Sequence, residues 1–176
     1  MYFTKAKLDE NHNYKLNIRN TKTGKVITGH TELIHNFDIG NLPISLTFIP
    51  GKTLEVKWTP AKNGKRYQIM LRFYYQEWMG SGDTTTKYID WTVRNNILSL
   101  DPTSTQSFAE YISGDGFYAF VGSKIDTSAV IKRNADRCAL IFSVATADLN
   151  TYMEVTEPST TIVQEKPPFT NIENGI

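Results

Sequence analysis

The sequence predicts a mainly β protein built from antiparallel strands, with two or three short helices in its C-terminal half. Residues 54–93 carry the main observation, because three segments there alternate apolar with polar side chains. Such alternation, rich in aromatic and branched residues, is typical of half-buried antiparallel strands. After Val93 the apolar residues take helical spacing instead. The chain has 176 residues, of which 40% are hydrophobic, so one domain with a substantial core is expected.

Residues 13–34 predict a β-hairpin near the N-terminus. Tyr14, Leu16 and Ile18 alternate with polar residues. Gly24 follows, and it can supply the positive φ of a turn before a second strand runs back. Because two strands alone are marginally stable in water, this hairpin must pack against something. We expect it either to join the later sheet or to belong to an upstream domain.

A domain boundary is predicted over residues 35–43, which are rich in Asn, Asp, Gly and Pro. We assign residues 1–36 to N-terminal strands that fit the truncated end of an upstream β-domain. Residues 37–176 form a sandwich-like domain with inserted helices in this interpretation. A short strand over 44–49 and a tight turn at Pro50–Gly51 precede the central stretch.

The central stretch predicts three strands joined by turns at Pro60–Gly64 and Gly80–Asp83. Apolar side chains occupy alternate positions in each strand, so one face is expected to be buried and the other solvated. The predicted core combines these inward positions with apolar residues of the two flanking regions: Tyr14, Leu16, Ile18, Leu54, Val56, Trp58, Tyr67, Ile69, Leu71, Phe73, Trp91, Val93, Phe120, Leu140, Phe142 and Val144.

Helices are predicted after residue 100. Asp101–Ser104 is a helix-start signal, and the apolar residues of 108–112 follow at helical spacing. A second apolar run over 117–125 also favours helix, and residues 147–155 predict a third short helix.

One further strand is predicted over residues 136–145. Its apolar residues occupy both faces, which indicates a central strand covered on each side. Cys138 lies within it and is interpreted as a small buried hydrophobe, because a catalytic thiolate needs an exposed setting. The proline-containing tail predicts an edge strand at Ile162–Val163.

Composition excludes several classes of function. The formal charge is +1, from 19 basic and 18 acidic side chains, so no polybasic field exists to hold nucleic acid. No run approaches the roughly 18 to 20 apolar residues that a membrane span requires. The N-terminus has no cationic segment followed by an apolar one, so no signal peptide is predicted in this chain.

No catalytic residue, metal site or cofactor is predicted, and we expect the protein not to be an enzyme. His12, His30 and His35 lack the spacing of metal ligands, and the glycines form no phosphate-binding motif. A glycosidase would need two carboxylates that converge across a cleft. Glu77 and Asp90 are the candidate pair, although two exposed hairpin acids are the simpler interpretation.

Three aromatic residues are the candidate binding residues: Tyr74, Trp78 and Tyr88. Trp78 and Tyr88 flank the predicted turn at Gly80–Asp83, and Tyr74 lies on the polar face of its strand. Exposed rings near a hairpin tip can stack on sugars or anchor a protein partner. Packing beneath a longer loop is the alternative interpretation.

The segments Leu54–Pro60 and Asn63–Tyr75 resemble the second and third strands of fibronectin type III and related immunoglobulin-like domains. In those domains a strand tryptophan precedes a strand with alternating Tyr and hydrophobic residues, across a short turn. The resemblance implies an antiparallel β-sandwich. The helices predicted after Asp101 depart from a plain sandwich of seven strands.

Four segments resemble uncharacterised Bacteroidetes cell-envelope lipoproteins: 14–25, 73–77, 114–120 and 168–176. This resemblance implies a location in the cell envelope, at the outer membrane, through a lipid anchor that is absent from this fragment. It also implies association with a TonB-dependent outer-membrane transporter. It supplies no catalytic residue.

Three functions are therefore kept open. The first is a non-enzymatic cell-envelope binding or accessory lipoprotein with a protein or glycan ligand. The second is a structural or adhesive surface subunit, which would expose a strand edge or an apolar patch. The third is a glycan-active enzyme, which would need a cleft with paired carboxylates.

Overall fold

The computed structural model describes residues 5–40, 47–79, 82–100, 107–128, 130–156 and 172–173. These residues form a mainly β structure, as predicted, with antiparallel sheets and two helices. The elements in chain order are β1 (Asn13–Arg19), β2 (Val26–Glu32), β3 (Ile39–Gly40), β4 (Thr53–Trp58), β5 (Arg66–Met79), β6 (Thr84–Leu98), β7 (Phe108–Ser113), α1 (Gly114–Lys124), β8 (Ile131–Ala145), α2 (Ala147–Thr156) and β9 (Ile172–Glu173).

The described strands form three sheets, with the orders β1-β2-β9, β3-β4-β7 and β6-β5-β8. In the largest sheet, β5 lies in the centre and pairs along its length with both neighbours. The turn at Pro60–Gly64 therefore takes the chain from one sheet to another. Asn63 has a φ of 65° there, and a Cβ on Gly64 would collide with the Tyr67 hydroxyl. That hydroxyl accepts a hydrogen bond of 2.7 Å from the Ala61 amide, so glycine is required at position 64.

The core lies between the β3-β4-β7 sheet and one face of the β6-β5-β8 sheet. Trp58 of β4 is only 2% exposed, and its ring lies 5.4 Å from the Phe142 ring of β8 and 6.2 Å from the Tyr67 ring of β5. Helix α1 adds Phe117, which packs edge-on against Phe73. The buried cluster consists of Phe48, Val56, Trp58, Tyr67, Ile69, Leu71, Ile112 and Phe117.

Most of the predicted core is confirmed. The predicted residues of β4, β5, β6 and β8 are buried or pack against the buried cluster. The prediction that Tyr14, Leu16 and Ile18 belong to the core is wrong. Leu16 and Ile18 are each 50% exposed, and Tyr14 is only partly buried. The hairpin does form, but it pairs with the two-residue strand β9 in a sheet of its own. Phe120 lies outside the cluster and stacks on Trp91, with ring centroids 5.6 Å apart.

The helix predicted over residues 108–112 is wrong. These residues form β7, which pairs with β4 so that Ile112 lies opposite Leu54 and Phe108 opposite Trp58. Alternation therefore governs this segment, and it buries Ile112 in the core. The other two predicted helices are confirmed as α1 and α2.

Helix α1 begins earlier than predicted, at Gly114. The Ser113 hydroxyl caps the helix by accepting a hydrogen bond from the Gly116 amide at 3.2 Å. A Cβ on Gly114 would collide with the backbone of Ile49, so the glycine permits close contact at this corner.

The prediction that residues 136–145 form a central strand covered on each side is wrong. This segment belongs to β8, which lies at the edge of the β6-β5-β8 order and pairs only with β5 in the described part of the chain. Ala139 and Ile141 on its second face are partly buried. Cys138 is also partly buried, and desolvation raises the pKa of its thiol.

Four other predictions fall wholly or partly outside the described residues: the strand at 44–49, the turn at Gly80–Asp83, the helix start at Asp101–Ser104 and the strand at Ile162–Val163.

Helix α2 is joined to the central strand by a buried polar network. Arg66 of β5 is 7% exposed, and its Nε donates a hydrogen bond of 2.6 Å to Oδ1 of Asn150. Its Nη1 donates to Oδ1 of Asn96 at 3.1 Å. The Asn150 amide in turn donates to Glu154 at 3.0 Å. Because a buried cation needs partners, this network fixes α2 against the end of β5.

Trp58→Ala should lower the free energy of unfolding by about 3–5 kcal/mol, because it leaves a cavity between the two sheets. A denaturant titration measures the change. Tyr152→Ala, on the exposed face of α2, is the control and should change stability by less than about 0.5 kcal/mol. A loss below about 1 kcal/mol for Trp58→Ala would contradict its position in the core.

Asn150→Ala should lower the free energy of unfolding by about 1–3 kcal/mol, because the buried Arg66 Nε loses its acceptor. Thr151→Ala, one residue further along α2, is the matched control for helix propensity. Chemical denaturation of both variants separates the two effects. Equal stabilities for the two variants would show that the network does not hold α2.

Candidate functional site

The three predicted binding residues share one face of the β6-β5-β8 sheet, which we call the outer face. Side chains alternate along β5, so Phe73 points to the core and Tyr74 to the outer face. Tyr74 lies opposite Tyr88 of β6, and their ring centroids are 5.8 Å apart. Trp78 lies on the same face, four residues and about 13 Å along the strand. The structure thus brings Tyr74 and Tyr88 together and places Trp78 on the surface they share.

Two arginines cover the tyrosine rings. The Arg72 guanidinium carbon lies 4.2 Å from the centroid of the Tyr88 ring. The Arg137 guanidinium carbon lies 4.1 Å from the centroid of the Tyr74 ring. Cation–π contacts at exposed sites contribute about 0.5–1 kcal/mol each. The two contacts hold the rings in one arrangement on an otherwise open sheet surface.

Asp90 fixes the position of Arg72. Nε and Nη2 of Arg72 donate hydrogen bonds of 2.7 and 2.8 Å to the two carboxylate oxygens of Asp90. These bonds from Arg72 hold the pKa of Asp90 below its usual value and raise the pKa of Arg72. A two-point ion pair orients the guanidinium plane as well as holding it. Asp90 therefore acts on the outer face by positioning the cation over Tyr88.

A nine-residue patch continues from these tyrosines toward the far end of β5. Three rows cross the sheet in register, each taking one residue from β6, β5 and β8: Tyr88–Tyr74–Arg137, Thr86–Gln76–Asn134 and Thr84–Trp78–Lys132. The middle row makes no hydrogen bond through its side chains within the described part of the protein. Its hydroxyl and amide groups are thus open to a ligand, between two rows that carry aromatic rings.

Glu77 lies on the opposite face from Asp90. It forms ion pairs with Lys87 and with Arg133, whose Nε is 2.6 Å from Oε1 of Glu77. Hydrogen bonds from Lys87 and then Arg133 lower the pKa of Glu77, and the side chain is only 11% exposed. The Arg133 guanidinium also donates to the Asp126 carbonyl at 2.7 Å. Because Glu77 and Asp90 lie on opposite faces of the β6-β5-β8 sheet, the two carboxylates do not converge on a cleft as a glycosidase requires.

The histidines do not assemble a metal centre. Nδ1 of His12 lies 3.2 Å from Asp9, and Nδ1 of His35 lies 3.7 Å from Glu10. The described residues contain no cluster of three or more His, Cys, Asp or Glu side chains that could hold a metal ion. No helix within the same residues has the length and apolar character to cross a membrane.

Sequence reasoning found the aromatic residues of the outer face but not the arginines that order them. Arg72 occupies a polar position of its strand, which placed it on the correct face. Arg137, however, comes from a strand 63 positions beyond Tyr74 along the chain. Its contact depends on the register of β5 with β8, and the alternation within either strand does not specify that register.

No family model, curated protein or solved structure matches this chain. The resemblances to envelope lipoproteins and to fibronectin type III domains therefore stay predictions from sequence.

Arg72→Gln should raise the pKa of Asp90 toward its usual value of about 3.9. The folded-state pKa is depressed in the native protein, so the pair contributes stability above about pH 3.9 and loses it as the pH falls through the folded value. An NMR titration of the Asp90 carboxyl carbon measures the shift. Lys132→Gln, on the same face, should leave the value unchanged. An Asp90 pKa that is equal with and without Arg72 would contradict the positioning role.

Proposed function

We propose that this chain is a non-enzymatic binding module whose ligand contacts the nine-residue patch. The observation that supports this most is that the Tyr74 and Tyr88 rings, held by two arginines, lie beside polar side chains that make no hydrogen bond within the described residues. Tyr, Trp and Arg are the residue types that contribute most to binding energy in interfaces. The patch combines all three types.

Rigidity favours the patch as a binding surface. Behind the patch, β5 carries Tyr75, which is 8% exposed, and Glu77, which is 11% exposed and ion-paired with Lys87 and Arg133. Hydrogen bonds to β6 and β8 hold β5 on both edges. The backbone that carries the patch is therefore fixed before a ligand arrives, and the cation–π contacts fix the Tyr74 and Tyr88 rings, which reduces the entropy lost on binding.

The proposed setting is the cell envelope. The resemblance to Bacteroidetes lipoproteins supports an accessory role at the outer membrane, with a lipid anchor and a TonB-dependent transporter as partner. The core between two antiparallel sheets is compatible with the fibronectin-like β-sandwich that the sequence predicts. In that arrangement the patch belongs to the side of the larger sheet that faces away from the core.

A structural or adhesive subunit is the second candidate, and the N-terminal hairpin favours it. Leu16 and Ile18 of β1 leave half of each side chain exposed. The outer edge of β1 pairs with no strand among the described residues. An open edge beside apolar side chains can join a strand of another subunit.

Site-specific photo-crosslinking distinguishes the two candidates. A photoreactive residue is placed at Thr86 on the patch, at Ile18 on the hairpin, or at Tyr152 on α2 as the control, in cells that naturally make the protein. Thr86 should give a discrete adduct and Tyr152 none, because the ligand lies on the outer face. Protease and glycan-specific staining then identify the class of the adduct.

An adduct from Ile18 alone would overturn the binding proposal and support assembly through the hairpin. The absence of adducts at all three positions would contradict both candidates.

A further inference from the structure

We propose that the ligand of the nine-residue patch is an acidic glycan, a sugar chain that carries carboxylate groups. This inference rests on the proposed function and names the ligand class for the same surface. It follows from the side-chain chemistry of the patch, from the order of its rows, and from the charge at one margin.

The chemistry of the patch matches a sugar chain. Three of its residues are aromatic, four are neutral hydroxyl or amide residues, and two are cations; none is aliphatic and none is acidic. A pyranose ring has a face of C–H groups and a rim of hydroxyl groups. The C–H face packs on aromatic rings, while the hydroxyl rim pairs with amide and hydroxyl side chains.

The order of the rows fits an extended ligand. Neighbouring rows are two residues apart on β5, which is about 7 Å, so Tyr74 and Trp78 are separated by about 13 Å. Gln76 lies between them, with Thr86 and Asn134 on either side. A sugar chain along β5 would stack on the first and third rows and form hydrogen bonds with the middle row. A protein partner would instead favour a desolvated apolar centre, and an amide occupies the centre here.

Trp78 offers a partly exposed ring that no arginine covers among the described residues. Arg137 covers one side of the Tyr74 ring, and Arg72 covers one side of Tyr88, which still remains 54% exposed. Trp78 has no aromatic or cation–π partner among the described residues. The strongest stacking contact is therefore expected on the third row.

The local charge favours a carboxylate on the glycan. Arg137 is paired with Asp136, which flanks the patch, at 2.8 Å. Lys132, beside Trp78 in the third row, has no carboxylate within 4.0 Å in the described part of the chain. A carboxylate on the sugar that stacks on Trp78 would meet this cation. The positive charge of Lys132 is a local feature of the third row, since the formal charge of the whole chain is only +1.

The test uses titration calorimetry with uronic acid oligosaccharides, namely oligogalacturonate and oligomannuronate, and with the carboxyl-reduced neutral form of each. At least one acidic probe should bind, and its neutral form should bind at least tenfold more weakly. Trp78→Ala should weaken binding of the acidic probe at least tenfold. Lys132→Gln should remove the preference for the acidic form. Gln76→Ala, at a partly exposed site whose side chain makes no hydrogen bond within the described residues, gives an independent test should Trp78→Ala fail to fold.

Two variants serve as matched controls: Tyr152→Ala removes an exposed ring on α2, and Lys15→Gln removes an exposed cation on β1. Neither should change the affinity. Failure of both acidic probes, equal affinity for acidic and neutral forms, or equal effects of the control variants would overturn the inference. A protein adduct at Thr86 would also overturn it while leaving the proposed binding function intact.

Discussion

Strand β5 is the constraint on which the rest of the structure depends. It is hydrogen-bonded along both edges, to β6 and to β8, over most of its length. Because its side chains alternate, the same strand supplies Tyr67, Ile69 and Leu71 to the core and Tyr74 to the outer face. Any shift of its register by one residue would exchange the two sets. Folding and the proposed binding surface are thus coupled through one strand.

The sequence predicted the class of the fold because alternation is a local property. It identified β5 and β6 and the inward residues of both. It failed where burial depends on distant partners: Leu16 and Ile18 alternate as core residues do, yet each is 50% exposed, and among the described residues the hairpin pairs only with the two-residue strand β9. The segment 108–112 failed for a related reason, since spacings of three and four residues fit a helix while pairing with β4 makes it a strand.

The candidate site was predictable in part. The sequence placed Tyr74 on the polar face of its strand and Trp78 and Tyr88 beside a turn, and the structure brings all three onto one face. Their arginine partners depend on cross-strand register, which the sequence does not encode locally. Glu77 was a candidate partner of Asp90 from sequence, whereas alternation places it on the opposite face of the sheet, with Lys87 and Arg133. Residues that are adjacent in a strand, such as Glu77 and Trp78, point to opposite faces of the sheet.

Native-state hydrogen exchange tests the central role of β5 most directly. The core-facing and the outer-face side chains of β5 can be ordered together only if β5 is the strand whose amides are most protected from hydrogen exchange. Its amides between Gln68 and Gln76 should therefore exchange only through global unfolding, with the same free energy as the whole chain. Amides of the β1–β2 hairpin should exchange through local opening at a lower free energy. Exchange from β5 as fast as from the hairpin would contradict the account.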